Sequence, residues 1–234
     1  MANISLQQLL EAGCHFGHQS RRWKPAMAPY IYTTRDKVHI FDLVKTKAGL
    51  DTACKYVKQL AQEGKQILFV GTKRQAKDIV LAAAKKAGMP YVVERWLGGT
   101  LTNYEEISKR MRKLRDLRQQ RDSGELKKYT KKEQLLIDRE IAKLERFLGG
   151  MESLVDKPAA LFVVDTHREN VAVREAVKMG LPVVGLVDTN GDPDLVDYVI
   201  PVNDDAVKSI ELVVGAIADS IARPKSKKTA THES

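Results

Sequence analysis

A chain of 234 residues with 43% hydrophobic content can bury one sizeable core or two small ones, which excludes a disordered or fibrous protein. Its net charge of +9 implies an anionic partner, nucleic acid first, with a membrane surface or an acidic protein fitting the same sum. Cys14 and Cys54 lie far apart without paired spacing, which excludes a disulfide framework. No basic-then-apolar leader opens the chain and no apolar run would span a bilayer, so a cytosolic or organelle-internal protein is expected.

Ser5 with Gln8 has capping-box form, and Leu6, Leu9 and Leu10 give the short helix it opens an apolar side that ends at Gly13. From Cys14 to Arg35 there is no acidic residue. Arg21, Arg22, Lys24 and Arg35 are interleaved there with Phe16, Trp23, Tyr30 and Tyr32, and Pro25 and Pro29 rule out a regular helix. Cations among aromatics in irregular backbone suit RNA, because guanidinium groups meet phosphates while rings stack on unpaired bases. Tyr30 and Tyr32 are instead expected in the core, on a strand that the turn Thr34-Arg35-Asp36-Lys37 joins to Val38-His39-Ile40-Phe41.

A helix is predicted from about Thr46 to Glu63, then a strand buried on both faces at Ile67–Val70, a helix to Ala87 and a strand at Tyr91–Val93. The segment Arg95-Trp96-Leu97-Gly98-Gly99-Thr100-Leu101-Thr102-Asn103 follows. Residues 102–150 then form a charged insert. Asn103 with Glu106 and Thr130 with Glu133 are capping pairs, and Ile107, Met111, Leu114 and Leu117 on one helix face Ile137, Ile141, Leu144 and Leu148 on the other. Stripes this narrow predict an antiparallel helical hairpin, a coiled coil, satisfied internally and projecting from the body. Fourteen Lys or Arg stand against nine Asp or Glu from Tyr104 to Leu148, with Arg139 expected to be balanced by Glu140 and Lys143 by Glu145.

After the insert come strands at Ala160–Val164, Pro182–Val187 and Tyr198–Ile200, with helices at Asn170–Met179 and about Asp204–Ile221. The β-α-β-α order predicts an α/β fold, a doubly wound parallel sheet with helices on both sides. Its parts are residues 1–101, the insert 102–150, residues 151–222 and a disordered tail 223–234. Ligands of such sheets bind where strands end, here at Thr72-Lys73-Arg74, Glu94-Arg95, Asp165 to Arg168, Asp188-Thr189-Asn190 and Asn203-Asp204-Asp205. Gly71 stands alone, without a dinucleotide fingerprint or a P-loop, and no nucleophile elbow is found, so catalysis is not expected. The runner-up is a free-standing α/β enzyme acting on a phosphorylated small molecule or nucleotide. No cofactor is expected beyond a structural divalent ion, for which His18, Asp188 and Asp204 are the candidate ligands.

Six segments taken together resemble the bacterial-type small-subunit ribosomal protein S-two family. They are His15-Phe16-Gly17-His18-Gln19 with Arg21-Arg22-Trp23-Lys24-Pro25; Lys37-Val38-His39-Ile40 before Asp42-Leu43; Ile67 to Arg74; Arg95 to Asn103; Asp188-Thr189-Asn190 with Asp192-Pro193; and Ile200-Pro201 with Asn203-Asp204-Asp205. The resemblance implies a flavodoxin-like sheet with a helical hairpin, no catalytic activity, and a place between the head and body of the small subunit. It also implies contacts with rRNA and neighbouring ribosomal proteins, including help in docking the mRNA-binding protein S-one. The short mixed tail departs from the acidic one common in the family. The rRNA-binding candidates are Arg21, Arg22, Trp23, Lys24, Lys73, Arg74, Arg95, Trp96, Gly98, Gly99 and Asn103. Gly98-Gly99 would let backbone approach a phosphate, with Arg95 and Trp96 offering a charge and a stacking face.

Overall fold

The computed structural model describes residues 4–222; the tail expected to be disordered, 223–234, lies outside the described residues. A short helix α1 (Leu6–Glu11) opens with the reciprocal Ser5–Gln8 capping box, but only Leu9 of its apolar side is buried. Then come β1 (Phe16–Gln19), two 3-10 turns at Ser20–Arg22 and Pro25–Tyr30, β2 (Ile31–Arg35) and β3 (Val38–Phe41). These strands form a small antiparallel sheet of order β1-β3-β2. Asp36 and Lys37 both take positive φ at the β2–β3 turn, the left-handed pair that matches the twist of a hairpin.

The helix α2 (Leu43–Gln62) starts three residues earlier than its apolar pattern alone suggests, because the Asp42 carboxylate accepts from the Val44 N–H. Next come β4 (Ile67–Val70), α3 (Lys77–Ala87), which Gly88 ends in the left-handed conformation, and β5 (Tyr91–Val92). The insert supplies α4 (Tyr104–Asp122) and α5 (Lys131–Leu148). The chain ends with β6 (Ala160–Val164), α6 (Asn170–Lys178), β7 (Val183–Val187), β8 (Tyr198–Pro201) and α7 (Val207–Ala222).

The large sheet is parallel throughout, in the order β5-β4-β6-β7-β8. This is the flavodoxin-like winding, whose direction reverses between β4 and β6. Alternation along the strands sorts two cores. Ile67, Phe69, Phe162, Val164 and Leu186 face α2, α3 and α7, whereas Leu68, Val70, Leu161, Val163 and Val187 face α6, Met27, Phe41 and the base of the insert. Phe69 and Phe162 sit opposite each other in register, ring centroids 5.0 Å apart and edge to face.

Three expectations fail here for physical reasons. Tyr32 is 76% exposed and not in the core, because a register irregularity between Ile31 and Thr33 takes it out of the pairing. The insert is not satisfied internally: Ile107, Met111 and Leu148 are buried with Met27, Phe41 and Leu68 in the second core, so its base belongs to the body. Lys109 pairs with Glu105 and Glu106 along its own helix, but Arg139 and Lys143 are not balanced by Glu140 and Glu145, which pair across the helices. Glu140 meets Lys113 (2.5 Å) and Glu145 meets Arg118 (2.5 Å), while Arg139 and Lys143 have no ion pair among the described residues.

Candidate nucleic-acid interface

The carboxyl ends of β4, β6, β7 and β8 carry Lys73, Asp165, Asp188 and the pair Asp204-Asp205, and the fold brings all five together. The Lys73 ammonium lies 3.1 Å from Asp165, 2.6 Å from Asp204 and 2.6 Å from Asp205. Thr72 beside it donates to Glu169 from its N–H (3.0 Å) and its hydroxyl (2.5 Å). These contacts fill the crevice where the winding reverses, the place at which open α/β sheets bind ligands. Burial works against the charge of Lys73, but Asp204, Asp205 and Asp165 hold its pKa above the ordinary value. Asp204 is pushed well up by burial, then by Asp188 and Asp165, with Lys73 opposing.

The N-terminal segment closes the same rim from above. The His18 N–H donates to the Thr189 hydroxyl (2.9 Å) and the Lys24 N–H to the Thr189 carbonyl (2.8 Å). Only glycine fits at Gly17, where a Cβ would stand 2.6 Å from Thr189 Cγ2. His18 Nδ1 lies 2.9 Å from Asp188 and its Nε2 3.4 Å from Asp205. The Asp188 carboxylate beside Nδ1 raises the His18 pKa against the opposing effect of burial. Burial is likewise outweighed at Asp205, which Lys73 and His18 hold low.

The metal expectation changes with this pairing. Asp204 turns to Lys73, and Asp205 takes its place beside His18 and Asp188, with one donor atom from each of those three within 4.8 Å of the others. Lys73 contacts Asp204 and Asp205 directly and so offsets part of the repulsion among these carboxylates for which a divalent ion was expected.

The segment 95–103 also differs from its expected role. Glu175 of α6 points its carboxylate at this loop and accepts from Gly99 N–H (2.7 Å), Leu101 N–H (2.9 Å), Thr102 N–H (3.2 Å) and the Trp96 indole (3.1 Å). Gly99 has φ +89, which turns successive amides inward. The loop is therefore an anion cradle that the chain fills with its own carboxylate, held below its ordinary pKa by these donors despite burial. The periodicity of α6 carries the missed signal: Ala172, Val173, Glu175 and Ala176 share its buried stripe, and an acid in such a stripe requires donors.

Of the eleven RNA candidates, four are thereby engaged inside the protein. Lys73 is buried and surrounded by carboxylates, Trp96 is 8% exposed with its indole bonded to Glu175, the Gly99 amide is taken, and Lys24 pairs with Asp192 (2.9 Å). Trp23 is half-buried, its ring 4.9 Å from that of His39. Asn103 precedes α4 without a side-chain cap bond, so the expected Asn103–Glu106 capping pair does not form. Arg21, Arg22, Arg74 and Arg95 are exposed, as are Gly98 and Asn103, and none of these four arginines has an ion-pair partner among the described residues. No helix among the described residues is long and apolar enough to cross a membrane.

Compared with known proteins, residues 9–224 match the family described as Ribosomal protein S2. Similar relatives include the small ribosomal subunit protein uS2 of Roseiflexus sp. (strain RS-1), 52% identical over 217 residues that cover 93% of this chain and 83% of that protein. The protein of the same name from Roseiflexus castenholzii is 49% identical over 225 residues, 96% of this chain and 86% of its own. That of Porphyromonas gingivalis (strain ATCC 33277) is 52% identical over 221 residues, 94% and 79% of the two chains. With most of its length matched by the family and half of its residues identical to those of these relatives, the chain belongs to the Ribosomal protein S2 family.

Proposed function

We propose that this protein is held on small-subunit rRNA chiefly by Arg21 and Arg22. Membership of the family makes it a structural protein of the small ribosomal subunit and not an enzyme, so the free-standing enzyme is set aside. The observation that carries the RNA reading is the contrast between free and consumed cations. Arg21 and Arg22 are exposed on a 3-10 turn without an ion-pair partner among the described residues, and the backbone on either side of that turn is pinned to Thr189 through His18 and Lys24. Guanidinium groups presented from fixed backbone lose little entropy on meeting phosphates. The place between head and body and the docking of S-one rest on the family resemblance alone.

Each phosphate contact removed lowers the dependence of log affinity on log salt by about one unit. Arg21→Ala with Arg22→Ala is expected to flatten that slope by roughly 1.5 to 2 units and to reduce incorporation into small subunits. Lys109→Ala with Lys113→Ala is the control, because Lys109 is matched by Glu105 and Glu106 and Lys113 by Glu140. Equal loss from both pairs, measured by titrating rRNA at several salt concentrations, would assign binding to general charge and not to this turn.

The same reading treats the distal insert as separable from the body. Excision of residues 116–138 in favour of a short Gly/Ser linker keeps Ile107, Met111 and Leu148, which pack in the second core, and the buried Ile141, while giving up the Arg118–Glu152 pair. A single cooperative melt with native near-UV dichroism is expected from that variant. A lost or two-step transition would show that the distal helices hold up the fold.

A further inference from the structure

We infer that the outer face of the small sheet and its β2 edge are a stacking platform for unpaired RNA bases, with Phe16 on the face and Tyr32 at the edge as its aromatic contacts. The inference rests on the rRNA reading above and names the part of the RNA that this face takes. The two faces of the sheet differ sharply. His39 and Phe41 of β3 point inward and are buried, Phe41 within the second core. Side chains directly opposite each other across strands share a face. The residues paired with Ile40 and Val38 therefore lie outward, in a row Phe16–Ile40–Thr33 and a row Gln19–Val38–Arg35.

This outer face is open to solvent: Phe16 is 48% exposed, Ile40 and Val38 are half-buried, and Gln19, Thr33 and Arg35 are exposed. Tyr32 leaves the β2 ladder at its irregularity and is 76% exposed. One exposed aromatic means little on its own. Phe16 stands on the floor of Ile40 and Val38, and Tyr32, out of the pairing beside the outward Thr33, is exposed at the β2 edge of the same small sheet. The two together leave apolar surface that water solvates poorly.

The charges around that surface choose its occupant. Ser20 N–H bonds to the Lys37 carbonyl (2.8 Å), which brings the hairpin turn, with Arg35 and Lys37, beside Arg21 and Arg22. All four cations are exposed, and the carboxylate among them, Asp36, is 92% exposed and 3.8 Å from Arg35, too solvated to cancel much. A surface with aromatic faces and a cationic rim fits single-stranded nucleotides, whose bases stack while their phosphates meet the guanidinium groups. A base-paired helix hides its π faces and fits only the rim.

Binding of a 12-nucleotide uridine RNA and of a 12-base-pair RNA duplex to the full protein tests this. Tyr32→Ala should weaken binding of the single strand about tenfold, leave its salt slope unchanged and leave the duplex unaffected. Tyr32→Phe should bind as the parent does, since it keeps the ring. Arg21→Ala with Arg22→Ala, by contrast, should flatten the salt slope for both RNAs. Tryptophan fluorescence of a Trp96→Phe background, which leaves Trp23 as the emitter, checks that the sheet stays folded, as the Trp23 ring packs on His39. Unchanged affinity of Tyr32→Ala for the single strand would overturn the inference while leaving the arginine contacts standing. Reduced incorporation into subunits at unchanged RNA affinity would also overturn it, assigning the face to a protein neighbour. A parent protein that binds neither RNA nor rRNA would remove the functional reading and this one with it.

Discussion

Replacing Glu175 with alanine is expected to cost about 4 kcal/mol and to lower the unfolding midpoint by about 10 °C. The carboxylate is 8% exposed and accepts from three backbone amides and an indole, so its removal leaves donors in a place that water reaches poorly. Hydrogen bonds to a charged group contribute about 1.5–3 kcal/mol each when measured singly and are not additive, which keeps the total near this figure. Glu175→Gln should lose about half as much, because the amide oxygen still accepts while its NH2 opposes the remaining donors. The pH dependence follows from the direction of the pKa. A carboxyl group held below its ordinary value of 4.5 in the folded state contributes stability that is present above pH 4.5 and is lost as the pH falls through the folded value. Melts of the parent from pH 6 down to pH 3 should show this loss, and Glu175→Gln should lack that part of it. Equal acid sensitivity in both proteins would mean that the loop finds its donors other partners.

The backbone order was legible because local chemistry and long-range packing agree there. Ile67–Val70 and Ala160–Val164 are apolar at every position, and only a strand covered on both faces uses such a run. Thr130 with Glu133 caps its helix by the reciprocal bonds that its spacing suggests. The site was less legible because it depends on partners from distant parts of the chain. Lys73 and Lys24 read as free cations, since nothing within ten residues of either suggests that Asp204 and Asp192 are their partners. Trp96 and Gly99 read as offered to a ligand, since the anion they hold comes from Glu175, more than seventy residues onward. In each case the residue types pointed correctly to anion recognition, and the anion is the protein's own.

These self-filled sites have a common logic. A flavodoxin-like sheet leaves a crevice at its switch point and amide-rich turns at its strand ends, both of which bind anions or small ligands in other settings. Here Lys73, His18 and Glu175 close them with charges of the chain itself, which turns the ligand-binding rim into a rigid base for the N-terminal segment. Among the RNA candidates, the cations left over are Arg21, Arg22, Arg74 and Arg95, which have no ion-pair partner among the described residues.

Lys73→Met should therefore be among the most damaging single changes in the protein, since Lys73 is buried among carboxylates. Methionine matches the length of the stem but leaves Asp165, Asp204 and Asp205 facing one another without their cation. Breaking a buried ion cluster by removing one partner typically costs about 3–5 kcal/mol, which corresponds to a fall of roughly 10 °C in the midpoint of a chain this size. Acid should relieve the defect. The Asp204 pKa is already raised in the folded parent, by burial and by Asp188 and Asp165, and loss of Lys73 removes what opposes that rise. A carboxyl group with a raised folded pKa binds its proton more tightly folded than unfolded, so its contribution is fully present below pH 3.8 and is lost as the pH climbs through the folded value. The gap between Lys73→Met and the parent should thus narrow steadily from pH 7.5 to pH 5. Asp204→Asn added to Lys73→Met should restore part of the lost midpoint at neutral pH, because it removes the buried charge left without a partner. A gap that stays constant with pH, together with no rescue by Asp204→Asn, would mean that the lysine stem and not its charge holds the rim together.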